Sequence, residues 1–137
     1  MHQNLTHKWT ARLLIGLVTA WNLQVAFVFI FSPSGFVPAY ELSGIAGEVA
    51  IRGFGVLFLM WNVPYLFALK DPIRYHLALT FALLMQSIGL IGETYIYITL
   101  PTGHAVLGSS ILRFISFDGM GFLLLAIAQF MVRNKKA

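Results

Sequence analysis

No cysteine occurs among the 137 residues of the chain. Disulfides, thiol exchange, iron–sulfur clusters and cysteine-based zinc sites are therefore excluded, and the redox compartment leaves no trace in the sequence. Charge is scarce as well. Only 10% of the residues are Asp, Glu, Lys or Arg, against about 25% in an ordinary soluble domain. Charge that thin cannot coat a soluble globule of this size. A soluble enzyme, a disordered chain and a nucleic-acid binder are excluded on that ground, despite a pI near 9.7. No HExxH, GxSxG, P-loop or dinucleotide fingerprint is present. Gly53-Phe-Gly55 lies inside an apolar run, so it is not a phosphate loop.

What the chain does have is apolar length. It is 58% hydrophobic and 15% aromatic, with a mean hydropathy of +0.80. A bilayer core of about 30 Å takes about 20 apolar residues in a helix. Four stretches qualify, at about 12–31, 45–69, 75–99 and 106–132. Prolines and a glycine in Phe31-Ser-Pro-Ser-Gly-Phe-Val-Pro38 break the first from the second. Lys70-Asp-Pro72 and Leu100-Pro-Thr-Gly103 make the other two breaks. The short loops make successive helices antiparallel neighbours. The spacing predicts an all-α fold, one transmembrane domain over 1–137, built as a four-helix bundle of two tandem helical hairpins. The polar start of the chain and the long apolar run behind it do not read as a cleavable signal peptide.

Lys and Arg give the orientation. Lys8, Arg12, Lys70, Arg74, Arg133, Lys135 and Lys136 fall on one side, and the loops at 32–44 and 100–106 hold neither residue type. Both termini are therefore expected in the cytoplasm. The net charge of +4 is then a positive-inside bias, with a minor part in holding anionic lipid heads. Asn4-Leu-Thr6 matches a glycosylation pattern on the cytoplasmic side, and we read it as chance. Trp9, Trp21, Trp61, Tyr40, Tyr65, Tyr75, Tyr95 and Tyr97 fall mostly near span ends, as interfacial aromatics do. Pro64 inside the second span predicts a kink.

The halves look alike. Arg12 and Gln24 are 12 apart, as are Arg74 and Gln86; Gly47 and Arg52 are 5 apart, as are Gly108 and Arg113. The first hairpin reads as a diverged copy of the second, related by an axis along the membrane normal. That predicts Arg52 and Arg113 at equivalent positions facing the axis.

Counting along the helices puts Arg52, Arg113, Glu93 and Gln24 roughly 9 Å into the outer half of the hydrocarbon, with Gln86 and Asp118 deeper. Glu48 stands one turn from Arg52 on the same face. A lone charge at the bilayer centre costs about 3 kcal/mol or more. These groups are therefore expected to face inward and form buried salt bridges. Three uses stay open. The pairs can fix helix register only. They can form a pocket for a small amphipathic ligand, a quinone, a lipid or an organic anion, with Arg52 and Arg113 as anion forks. Gln24 and Gln86 would then orient the ligand. Gly53, Gly55, Gly89, Gly92, Gly119 and Gly121 would either leave room for it or bring helices close. Last, Glu48, Glu93 and Asp118 can relay protons or ions, although little in the inner half continues such a relay. Only His7 and His76 sit at one depth, both at the interface, so haem is disfavoured.

Four spans with both ends inside, a Gly- and Pro-bearing outer loop and Arg52-Gly-Phe-Gly55-Val-Leu-Phe58 resemble the DoxX-like superfamily of small bacterial membrane proteins. The resemblance implies the bacterial inner membrane. It also implies partnership in sulfur-compound oxidation that delivers electrons to quinone, or in oxidative-stress complexes. No catalytic motif matches residue by residue, so no activity carries over. The sequence favours an accessory subunit or small-ligand binder that is not an autonomous enzyme, with no metal site and the lipid bilayer as surroundings. The partners would be membrane-complex subunits or further copies of the chain. A structural subunit of a respiratory or photosynthetic assembly and a proton or ion transporter are the alternatives.

Overall fold

The computed structural model describes residues 2–133, with side chains from Thr6 onward. Lys135, Lys136 and the Asn4 side chain lie outside the described residues. Four helices form: α1 (His2–Phe31), α2 (Gly44–Lys70), α3 (His76–Thr99) and α4 (Ala105–Arg133). Each is long and apolar enough to cross a membrane. Their ends fall within one residue of the expected spans, except that α1 begins ten residues earlier. Residues 2–11 contain neither proline nor glycine, so nothing stops the helix there.

The breaks work as their residues dictate. Pro33 and Pro38 each open a short 3-10 turn in the loop after α1. Asp71 builds the turn after α2. Its Oδ1 accepts the backbone N–H groups of Ile73 and Arg74, each at 3.1 Å, and its Oδ2 takes Lys8 Nζ at 2.6 Å. Gly103, at φ 100°, turns the chain between α3 and α4. The helix α2 runs through Pro64 without interruption.

Successive helices pack side by side. The hairpins α1–α2 and α3–α4 hold the most extensive contacts and α1–α4 and α2–α3 close the ring, whereas the backbones of the diagonal pairs stay apart and α2 meets α4 through stacked Phe58 and Phe114 rings. One end carries Lys8, Arg12, Lys70, Arg74 and Arg133 and is called the basic end; the loops at 32–43 and 100–104 form the distal end.

The core has two parts. Toward the basic end all four helices contribute, with Ile15, Val18, Tyr65, Ala68, Leu79, Ala82, Leu125 and Ala128 among them. Toward the distal end Phe29, Val37 and Ile51 are buried, and Phe36, Tyr40, Phe58 and Phe114 pack against them. The Phe29 ring meets those of Phe36, Tyr40, Phe58 and Phe114 at 4.8 to 6.2 Å. None of the buried residues of α3 lies beyond Gln86. The loop after α1, through Val37 and Tyr40, fills the distal space that α3 leaves.

Buried positions recur between the two hairpins, but in another register than the sequence spacing suggests. Ile15 matches Leu79 and Val18 matches Ala82 at an offset of 64; Ile51 matches Ile111, Tyr65 matches Leu125 and Ala68 matches Ala128 at 60. Gln86 therefore corresponds to Asn22, and Gln24 lies exposed on another face of α1.

Candidate functional site

The bundle centre is polar at one level. Gln86 of α3, 3% exposed, donates from Nε2 to Asp118 Oδ1 of α4 at 2.8 Å. Its Oε1 accepts the Tyr65 hydroxyl of α2 at 2.5 Å, and the same hydroxyl reaches the Ala82 carbonyl at 3.1 Å. Asn22 of α1 and Trp61 of α2 also stand near the Tyr65 hydroxyl. Every helix thus sends a polar side chain to one place.

Two glycines make this possible. A Cβ on Gly121 of α4 would stand 2.7 Å from Gln86 Nε2, and a Cβ on Gly89 of α3 would overlap an Asp118 carboxylate oxygen. Each helix carries its polar group and its glycine three residues apart. Antiparallel packing sets each polar group against the other helix's glycine. Close helix contact is the use these small residues serve.

Beside Asp118 is a cavity of about 20 Å3, lined by Asn22, Trp21, Val18, Val25 and three phenylalanines. A space of that size holds one water. Glu93 lies close enough to interact electrostatically with Asp118, and its Oε2 is buried with no hydrogen-bond partner.

The arginines are elsewhere. Arg52 and Glu48 form a loose pair at 3.8 Å, with side chains 56% and 41% exposed. Arg113 is exposed; its Nη2 donates to Ser110 Oγ at 3.0 Å. Its charge is felt by the Tyr40 phenol, whose pKa burial raises, with Glu93 adding to the rise and Arg113 opposing it. Among the described residues no salt bridge is buried, which corrects the expectation of inward ion pairs. The reason is steric. The helices α2 and α4 are diagonal, and at this level the rings of Phe29, Phe58 and Phe114 fill the space between them. The structure thus joins Gln86 to Asp118 with Glu93 within electrostatic range, leaves Arg52 with Glu48, and separates Gln24 and the arginines from the centre.

Sequence reasoning read Tyr65 as an interfacial aromatic, yet it is fully buried. Its signal was present. Ile51, Gly55, Phe58, Asn62 and Tyr65 recur at three- and four-residue steps, which defines one helix face. Asn62, also fully buried, donates to the Phe58 carbonyl at 2.7 Å, and its Oδ1 has no partner. Among the described residues no three His, Cys, Asp or Glu side chains gather as a metal site.

At the distal end the loop is latched to α4. Glu41 contacts His104 Nδ1 at 2.5 Å, accepts the Leu107 N–H at 3.3 Å, and is held at φ 53°. Ser110 Oγ donates to the Ala39 carbonyl at 2.7 Å. The His104 hydrogen bond holds the Glu41 carboxyl below its ordinary range. A depressed carboxyl stabilises the latch above the ordinary pKa of about 4.3 and loses that contribution as pH falls through the lower folded value. Amide exchange over residues 39–42, corrected for intrinsic rates, should therefore be faster at pH 3 than at pH 6. Glu41→Gln should abolish the difference by exchanging fast at both; a slow, pH-independent wild type would contradict the latch.

Comparison with protein-family models, with curated proteins and with solved structures found no match to this chain.

Proposed function

We propose that the chain is an integral membrane protein with both termini in the cytoplasm, and that it serves as an accessory subunit held to its partner through Arg52 and Arg113. Four helices of spanning length and the gathering of Lys and Arg at one end support the membrane reading and its orientation. The observation that carries the subunit reading is the exposure of the arginines. Each stands eight residues inside the distal end of its helix, about 12 Å down, on the outside of an apolar bundle. An uncovered charge at such depth costs up to about 3 kcal/mol. A partner subunit presenting carboxylates would remove that cost. The DoxX-like layout is in keeping with this role and with the bacterial inner membrane.

A ligand is the second reading. Quinone and other small amphiphiles do not fit the one-water cavity. They would have to dock from outside, and the position of the Arg113 guanidinium near the Tyr40 phenol favours a carbonyl or carboxylate there. Proton transport has less support, because fully buried Leu79, Ala82, Leu125 and Ala128 lie on the basic side of the polar centre.

The test is mass spectrometry of gently purified material, which reports bound proteins and small molecules together. Wild type should carry a stoichiometric membrane partner. Arg52→Gln combined with Arg113→Gln should lose it while unfolding at an unchanged temperature. An unchanged set of bound species in the variant would overturn the proposal.

A further inference from the structure

The basic end holds a second feature, unconnected with the polar centre. Here α1 overshoots α2. Between the overhang and the last turn of α2 runs an open groove of about 520 Å3, lined by Thr6, Trp9, Thr10, Arg12, Leu13 and Leu69. Ligand sites span about 300–1,000 Å3.

Arg12 is fixed in this groove. Its Nε donates to the Leu69 carbonyl at 2.9 Å, one of the carbonyls that the end of α2 leaves unpaired. Its guanidinium lies over the Trp9 ring, 4.5 Å from the centroid. The Nη1 and Nη2 groups have no protein acceptor among the described residues. A planar fork held at one edge and stacked on one face is preorganised for two oxygens of an anion.

The surroundings offer no internal anion. Among the described residues this end carries Lys8, Arg12, Lys70, Arg74 and Arg133 against Asp71 alone. Asp71 is already engaged by Lys8 and by two backbone N–H groups, and these hold its carboxyl ionised, below its usual range. The groove wall beside the guanidinium is apolar: Trp9, one turn nearer the basic end, is 61% exposed and Leu13, one residue deeper, is 64% exposed. An anion on the guanidinium and an apolar wall beside it describe an amphiphile.

We infer that Arg12 and the Trp9–Leu13–Leu69 groove bind an anionic phospholipid of the cytoplasmic leaflet, the phosphate on the free edge of the guanidinium and an acyl chain along the groove. Charge complementarity and the apolar wall argue for a lipid over a free anion, which would use only the guanidinium. The inference rests on membrane insertion but not on the subunit role of Arg52 and Arg113.

The test uses Trp9 as reporter, with Trp21→Phe and Trp61→Phe removing the other two tryptophans. The full chain is placed in lipid nanodiscs of phosphatidylcholine with a minor fraction of either brominated phosphatidylglycerol or brominated phosphatidylcholine. One basic contact at a charged surface corresponds to about a fivefold preference. The anionic quencher should therefore be about fivefold more effective, and inorganic phosphate should not relieve it. Arg12→Gln should bring the two quenchers level, with Arg12→Lys between. Because Arg12 also caps α2, helix content is followed by circular dichroism. If Arg12→Gln loses helix, Leu13→Asn, which spoils only the apolar wall, should reduce the preference in its place. Equal quenching in the wild type would overturn the lipid site, and so would full relief by phosphate, which would mark a free-anion site. Quenching by neither lipid would overturn membrane insertion, and the lipid site with it.

Discussion

Gln86→Leu should destabilise the protein by about 2 kcal/mol, and adding Asp118→Leu should restore much of that loss. Gln86 is the hub of the polar centre, donating to Asp118 and accepting from Tyr65. Its removal leaves the tyrosine one acceptor, the Ala82 carbonyl, but strips the carboxylate of its side-chain donor. A buried polar group left without a partner costs about 1–3 kcal/mol, whereas replacing both partners with apolar groups is nearly neutral. Interhelical hydrogen bonds in membranes average about 0.6 kcal/mol, so bond loss alone would give the smaller effect. The sign of the second step is what matters. Reversible unfolding in sodium dodecyl sulfate, followed by tryptophan fluorescence, measures both. If Asp118→Leu deepens the loss additively, the two residues do not act as a unit.

Gly55→Val should cost about 3 kcal/mol, while Gly53→Val two residues away should cost close to nothing. A Cβ at Gly55 would stand 2.8 Å from the Ala26 backbone oxygen, 2.7 Å from Ile30 Cγ1 and 3.0 Å from Phe29 Cβ. A backbone oxygen in a packed helix cannot swing away, so α1 and α2 would have to part. Overpacking of this kind costs about 1–3 kcal/mol, and valine brings two further methyl groups into the same contact. Gly53 has no atom within 4 Å of its Cβ position. The same unfolding measurement compares the two. Equal sensitivity at both positions would mean that helix propensity, not the α1–α2 contact, governs this segment.

The helix ends were legible because local chemistry sets them. Pro33, Pro38 and the Lys70-Asp-Pro72 turn act on the chain beside them. Gln86 and Asp118 were legible because an amide and a carboxyl within apolar runs must find partners. The face of each helix was harder to read. Matching Arg12–Gln24 to Arg74–Gln86 gives an offset of 62, where burial gives 64. Two residues turn a helix by about 200°. That error put Gln24 in the centre, a place Asn22 occupies. The arginines were misplaced for another reason. Desolvation cost argued for an inward position, but Tyr40 and Val37, delivered by a loop, already help fill the distal core. No periodicity within α2 or α4 announces a loop packed between them.

The proposal that a partner covers the exposed Arg52 and Arg113 can be tested where these residues stand. The chain has no cysteine, so a single one carries a probe without background. Gly53→Cys and Leu112→Cys, each adjacent to an arginine and exposed, would bear a benzophenone in native membranes. Photolysis should join both sites to one membrane protein, and Arg52→Gln or Arg113→Gln should abolish the adduct at the neighbouring probe. Adducts with lipid alone at both positions, unchanged by either substitution, would contradict the account.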